Sequence, residues 1–268
     1  MFINDLPDVM MHAKMLLFAD DSKMYKEISN VNDTERLQTD INNMMRWCDE
    51  NRMPLNFNKC NIFTASRVDR PIYVNYLMGE HVIERTETIR DLGVLLDRRF
   101  SFGDHIEQTT IKCRQLVGCI KRHSYGKLSK AAQRVLYLAY VRSRLEFASV
   151  IWSPYQEVYI DDLESIQRQF VIYLLDSRRN ATSFRLAPYE DRCKLVKLQS
   201  LELRRNLADS LFAFDLFKKT INDVNIHSNF VINDHFYGTR RARLIEEPFY
   251  RQDYLRNQPI ARMIKYVN

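Results

Sequence analysis

The chain has 268 residues, 46% of them hydrophobic and 28% charged, a balance that supports a buried core and excludes a disordered polymer. No apolar run approaches the roughly 20 residues that cross a bilayer, and no basic flank followed by an apolar stretch opens the sequence, so a soluble intracellular protein without a membrane partner is expected, nuclear or cytoplasmic. Lys and Arg number 40 against 34 Asp and Glu, and the net charge of +6 suits a polyanionic partner without demanding one.

Residues 1–7 (MFINDLP) read as the end of one element and its turn, with Asn4, Asp5 and Pro7 as punctuation. Two short β-compatible runs, Met15 to Phe18 and Lys23 to Tyr25, flank Ala19-Asp20-Asp21-Ser22, which predicts a hairpin with two acids at its tip. Asn32, with Glu35 three residues on, has the spacing of a capping box and predicts a helix start. The core face of that helix is read as Leu37, Ile41, Met44, Met45 and Cys48, and its end as near Asn51, before Pro54. Residues 55–96 read as strands and turns over Ile62-Phe63, Ile72 to Tyr76, Val82-Ile83 and Leu92 to Leu96, bending at Gly79 and Gly93.

After Ser101 the spacing changes to a helical period. One helix is predicted from about Asp104 to His123 on Ile106, Thr110, Cys113, Val117 and Ile120. A second starts at the cap Ser129 and carries Val135, Leu136, Leu138, Ala139 and Leu145. Ser153-Pro154 breaks the chain before a third, on Ile160, Leu163, Ile166, Phe170 and Leu174. A fourth and longer stretch follows Pro188 on Leu195, Leu198, Leu207, Leu211, Phe214 and Phe217. From about Asn222 the sequence is polar, basic and spotted with aromatics, with no assignable period.

Five cysteines (Cys48, Cys60, Cys113, Cys119, Cys193) form no C-x-x-C pair and have no matching histidine spacing, which argues against a disulfide framework and a zinc site. Asp20 and Asp21 are adjacent carboxylates in a tight turn, where mutual repulsion favours a neighbouring cation. Magnesium takes oxygen ligands and keeps several waters, so one or two carboxylates plus substrate phosphates suffice to hold it. An Asp-Asp pair taken alone is more often plain turn chemistry. Basic clusters dot the helical half: Lys112 with Arg114, Lys121-Arg122, Arg142 with Arg144, Arg178-Arg179, Arg204-Arg205, and Arg240-Arg241 with Arg243. Each is readable as a phosphate-tracking surface or as a solvated helix face interleaved with acids such as Glu146, Glu164 and Glu202.

The order of several phrases carries more than any one of them. Phe18-Ala19-Asp20-Asp21, preceded by Phe2-Ile3-Asn4-Asp5-Leu6-Pro7, resembles the aromatic-x-Asp-Asp signature and upstream phrase of reverse transcriptases from non-LTR retrotransposons. Trp47, Asn51, Leu55-Asn56 and Lys59-Cys60 look like the family's next motif, and Asp91-Leu92-Gly93-Val94 with Ser101-Phe102 and His105 looks like its primer-grip region. Tyr140-Val141-Arg142-Ser143, Leu145-Glu146-Phe147-Ala148-Ser149 and Ile151-Trp152-Ser153-Pro154 are similar to its thumb and post-thumb phrases. The resemblance runs over most of residues 1–220.

What the resemblance implies is an RNA-directed DNA polymerase that uses Mg2+, an RNA template and a DNA primer. Asp20 would be the main metal ligand and Asp21 a supporting one, Lys59 would lie near the leaving pyrophosphate, and Leu92, Gly93 and Val94 would shape the primer grip. Lys112, Arg114, Lys121 and Arg122 are the candidate nucleic-acid contacts. The implied fold is α+β: a partial palm over 1–100 with the Asp-Asp hairpin and a small antiparallel sheet, a helical thumb and post-thumb region over 101–221, and an irregular basic tail over 222–268. The family also needs a further aspartate and template-binding fingers upstream of the signature. The chain is therefore expected to be inactive alone, with a missing upstream polymerase segment as a possible partner or a binding-only role as the alternative. No endonuclease, zinc knuckle or RNase H module is recognisable.

Overall fold

Helix α1 (Val31–Glu50) starts where a polar side chain takes over from missing helical partners. The Asn30 side chain accepts from the Asp33 backbone N–H at 3.1 Å, and the Asp33 carboxylate accepts from Ser29 and Asn30 at 3.1 and 3.3 Å. The capping box is thus Asn30 with Asp33, two residues before the expected Asn32 with Glu35. Asp33 wins because it also meets Lys26 at 3.7 Å and Arg36 at 3.5 Å. The two backbone donors, Ser29 first, hold its carboxyl below the ordinary carboxylate range, and the two cations help. The helix ends at Asn51 as expected.

The computed structural model describes residues 3–175, 187–221 and 245–268, with the single positions 226, 228 and 230. Two compact units divide the chain, Met1–Ser101 and Phe102–Asn268. The first has its core on α1: Ile41, Met44, Trp47 and Cys48 are buried with Leu6, Tyr76 and Met78, and Leu37 and Met45 pack beside them. Its strands are short: β1 (Lys14–Phe18), β2 (Asp21–Tyr25), β3 (Asn61–Phe63), β4 (Leu77–Met78), β5 (His81–Val82), β6 (Glu84–Thr86), β7 (Thr88–Asp91) and β8 (Val94–Asp97). They form four two-stranded pairs, not the single small sheet expected: β1–β2, β4–β5 and β7–β8 are antiparallel, and β3–β6 is parallel. The parallel pair arises because the chain between β3 and β6 spends its turn on the inserted β4–β5 hairpin, bent at Gly79 with φ +62°. The expected strand over Ile72 to Tyr76 forms no ladder. The Tyr76 carbonyl takes the Ile83 N–H at 2.9 Å, and the Val74 carbonyl takes an Arg85 guanidinium N–H at 2.7 Å.

The second unit is helical among its described residues: α2 (Gly103–Ser124), α3 (Lys130–Tyr137), a π-helical segment (Leu138–Arg142), α4 (Ser143–Glu146), α5 (Ser149–Trp152), α6 (Glu157–Leu175), α7 (Tyr189–Leu195), α8 (Leu201–Phe217), α9 (Asp253–Arg256) and α10 (Pro259–Val267). Every predicted core residue of α2 is buried, from Ile106 to Ile120. Leu163, Ile166, Phe170 and Leu174 of α6 are buried likewise, while Ile160, also expected in the core, is half-buried.

Two helices depart from expectation. Ser129 caps α3 as predicted, donor Ala132 at 3.2 Å, but Val135 is 61% exposed and the inward residues are Gln133, Tyr137, Val141 and Leu145. A spacing of four residues runs ahead of an α-helix by about 40° per step, and the wider π turn over Leu138–Arg142 absorbs the drift. The long stretch after Pro188 is two helices, α7 and α8. In α8 the buried residues are Leu201, Arg205, Asp209, Ala213 and Leu216, while the expected core residues Leu207, Leu211 and Phe214 face out, as does Leu195 at the end of α7.

The C-terminal stretch, read above as an irregular tail, contains α9 and α10. Met263 packs with Ala213 and Leu216, and Arg262 reaches into α8 to meet Asp209 at 2.8 Å. The same guanidinium donates to the Val150 and Asn257 carbonyls, both at 2.6 Å. Sequence reasoning missed α10, which is nine residues long and turns a charged residue, Arg262, inward beside Ala261, Met263 and Ile264. The basic clusters Arg178-Arg179 and Arg240-Arg241 with Arg243 lie outside the described residues.

Candidate active site

The Asp20-Asp21 hairpin is fixed from below by α1. Asp40, fully buried, accepts three successive backbone N–H groups, from Met11 and His12 at 2.8 Å and Ala13 at 2.5 Å. Asn43 donates to the Val9 carbonyl at 3.4 Å, and the Trp47 indole donates to Asp5 at 3.3 Å. Positions 40, 43 and 47 share one helical face, so a single side of α1 grips residues 5–13, the segment that leads into β1. The upstream phrase Asn4-Asp5-Leu6-Pro7 and the distant Trp47 thus meet: Asp5 holds the indole and Leu6 is buried in the α1 core. Asn51 donates back to the Trp47 carbonyl at 2.9 Å.

Phe18 pairs with Asp21, leaving Ala19-Asp20 as a two-residue connection, with Ala19 in the left-handed region at φ +54°. Asp20 is exposed on the turn; Asp21 is exposed as the first residue of β2. Residues opposite one another across an antiparallel pair share a face. The outer face therefore carries Leu16, Phe18, Asp21, Lys23 and Tyr25, and the inner face carries Met15, Leu17 and Met24 against the core.

Lys23 on that outer face makes an ion pair with Asp91 at the end of β7. This contact joins the Asp20-Asp21 hairpin to the β7–β8 hairpin, whose turn is Leu92-Gly93 with Asp91 paired to Val94. Both turn residues have positive φ, +44° and +90°, the backbone of a tight type I′ connection. Leu92 is therefore not part of a strand, as the run Leu92 to Leu96 predicted, but is held at the tip, 46% exposed. Val94 is buried at 3%, and the Gly93 carbonyl accepts from Arg90 at 3.1 Å. The three residues of the predicted primer grip are thus a displayed leucine, a glycine turn and a buried anchor.

Lys59 ends a 3-10 turn (Phe57–Lys59) and is exposed. Its described contacts are local: its N–H meets the Asn56 carbonyl at 3.0 Å, and its own carbonyl accepts from Asn61. None of these involves the β1–β2 turn.

The four basic residues singled out on α2 do not form one stripe. Arg114 and Lys121 lie seven residues apart, about 20° from each other around the helix, and both turn toward α6. Arg114 pairs with Asp162 at 3.2 Å, and Lys121 sits 5.7 Å from the Tyr173 ring centre, its burial lowering its pKa. Lys112 and Arg122 are exposed elsewhere on the helix. The cluster Arg204-Arg205 is not a surface patch: Arg204 is bound to Glu146 through Nε and Nη2, and Arg205 is 2% exposed. Glu146, from one of the thumb-like phrases, also meets Arg142 at 3.5 Å. Trp152, from another, packs edge-on to His105 at 5.2 Å and donates to the Phe147 carbonyl.

Asp20 and Asp21 offer the hard oxygen donors that magnesium takes, on an exposed turn that phosphates can reach. Among the described residues no group of three or more His, Cys, Asp or Glu side chains stands together to hold a metal. The donor type fits, and the number supports at most part of a two-ion site. Sequence reasoning did not pick out Asp40, Lys23 or Asp91. Asp40 had a signal, because it lies seven residues before Trp47 on the same helix face. The Lys23–Asp91 pair had none, since its partners are 68 residues apart. No described helix is long and apolar enough to cross a membrane.

No family model matches the chain, and no solved structure matches it. It is 26% identical over 173 residues to the probable RNA-directed DNA polymerase from transposon X-element of Drosophila melanogaster, an alignment covering 61% of this chain and 18% of that protein. The chain thus spans under a fifth of the length of this relative. The likeness points to a related family of reverse-transcriptase-like origin.

Proposed function

We propose that the chain is the palm-tip-to-thumb part of a retrotransposon-type RNA-directed DNA polymerase, with Asp20 the principal ligand of a catalytic Mg2+ and Asp21 its support. The observation that carries this reading is the Lys23–Asp91 ion pair, which ties the hairpin bearing Asp20 and Asp21 to the hairpin that turns at Leu92-Gly93. In a polymerase the first holds the ion at the primer's growing end and the second holds the primer itself. A bound Mg2+ would supply charge neutralisation at the reacting phosphate. The chain's own contribution is positional: Asp40 fixes the approach to β1, Lys23 and Asp91 couple the hairpins, and Leu92 offers an apolar surface to the primer's terminal sugar and base. Lys59 would balance the pyrophosphate's charge.

The reading includes silence in isolation, because two adjacent carboxylates do not complete a two-ion site. The test is primer extension with Mg2+ on an RNA template, by the chain alone and by a version extended with the upstream coding sequence. Extension by the longer version that is lost on Asp20→Ala supports the proposal. Template-dependent extension by the present chain alone that is lost on Asp20→Ala refutes its silence, and extension that survives Asp20→Ala refutes the role of Asp20.

A binding role is favoured by the exposure of Lys112 and Arg122 on α2. Affinity for an RNA–DNA duplex by fluorescence anisotropy should fall with salt, and the double change Lys112→Ala, Arg122→Ala should flatten the salt slope by about 2. No affinity at low salt would remove nucleic-acid binding from the proposal.

A further inference from the structure

Helix α8 carries its large apolar residues on the outside. Leu203, Leu207, Leu211 and Phe214 are 53%, 45%, 55% and 52% exposed, and their 4-4-3 spacing makes one stripe about 16 Å long. The opposite side, packed on α4, α5, α6 and α10, buries Arg205 and Asp209 at 2% and 1% exposure. A solitary surface helix has the reverse arrangement, its apolar stripe inward and its charges outward. A contiguous exposed apolar face of this kind marks an interaction surface.

We propose that this face binds the same face of a second copy of the chain, the two α8 helices running antiparallel about a two-fold axis that passes midway between Leu207 and Leu211. The positions are self-complementary about that point. Leu207 of one copy meets Leu211 of the other, and Leu203 meets Phe214, as a closed two-fold interface requires. The flanking charges select the direction. Arg204 lies beside the stripe near its start and Asp215 on the same side near its end, so antiparallel pairing places Arg204 of each copy by Asp215 of the other. Parallel pairing about a two-fold axis would put the Arg204 and Asp215 flanks of the two copies on opposite edges of the stripe, so neither Arg204 would gain an Asp215. Arg204 can serve both neighbours, since its bonds to Glu146 use two of five guanidinium donors. One helix pair buries a surface at the low end of specific interfaces, so the dimer dissociates on dilution.

The test is sedimentation of the full chain over a concentration series, beside the double variant Leu207→Glu, Leu211→Glu. Both positions are exposed, so the variant keeps its fold, which circular dichroism checks. The expected result is a wild-type species that rises toward twice the 32.0 kDa chain mass on concentration, and a variant that stays at the chain mass. Wild-type chain that remains monomeric throughout, or a dimer that the variant leaves intact, overturns the proposal. Direction is read by disulfide trapping in a Cys119→Ser background, which removes the exposed native thiol. Mixed Leu207→Cys and Leu211→Cys chains should cross-link to one another; trapping only of like with like refutes the antiparallel arrangement.

Discussion

Replacing Asp40 with alanine removes the one acceptor shared by three backbone donors, Met11, His12 and Ala13. A hydrogen bond to a charged group contributes about 1.5–3 kcal/mol when its partner is left without a substitute. Met11 and His12 are exposed and regain water, so the three bonds do not sum; the expected loss is about 2–4 kcal/mol from the first unit. Asp40→Asn keeps one acceptor oxygen and should lose about half as much. Each compact unit contains one tryptophan, Trp47 in the first and Trp152 in the second, so the fluorescence of Trp47 in a Trp152→Phe background follows the first unit alone. With a urea slope of about 2 kcal/mol per molar, Asp40→Ala should move the Trp47 midpoint down by about 1–2 M. Amide exchange should accelerate at residues 11–13. Unchanged exchange there, or a midpoint shift within error for both variants, would refute the view that α1 anchors the hairpin.

The capping box gives a pH test. Asp33 has a lowered folded pKa, so its stabilisation is complete above the unfolded carboxylate value near 4 and is lost as pH falls through the folded value. Asp33→Asn should therefore lower stability at neutral pH and converge with wild type in strong acid; a gap that persists unchanged at low pH would contradict this. Arg262→Met leaves Asp209 buried without its cation and should destabilise the second unit by about 3–5 kcal/mol, read by the fluorescence of Trp152, whereas the double change Arg262→Met, Asp209→Leu should recover much of it. Alkylation at mildly alkaline pH should modify exposed Cys119 first and spare Cys113, whose burial pushes its thiol up to about 11. Equal rates at the two sites would count against the packing of α2.

Where apolar spacing alone decides the structure, the sequence was legible. Helices α2 and α6 keep a regular 3.6-residue period, and their buried faces are the ones the spacing predicts. The hairpin around Ala19-Asp20 followed from two short runs and a polar turn, although its tip carries one acid, Asp20, where two were expected, because Asp21 pairs with Phe18 as the first residue of β2. The π segment escaped because Tyr137, Val141 and Leu145, at i, i+4 and i+8, fit one face of a plain α-helix as well as a wider turn, so spacing does not tell the two apart. In α8 the same template chose the face with more leucines, while the fold buries Arg205 and Asp209, the latter held by Arg262 some fifty residues later. The capping box shifted because two Asn-x-x-acid spacings overlap, and only the contacts of Asp33 with Lys26 and Arg36 separate them. At the candidate site the acids were visible, but the ion pair coupling the two hairpins was not.

Leu92 bears on how this chain would change under selection. A leucine in left-handed backbone costs about 1–2 kcal/mol relative to glycine, and at 46% exposure it recovers little of that by burial. A library randomised at position 92 and sorted only for folding should drift to Gly or Asn. If the hairpin tip meets a primer, a library sorted for extension by the longer polymerase should instead hold a large apolar residue there, so the two sorted pools would separate at this one codon.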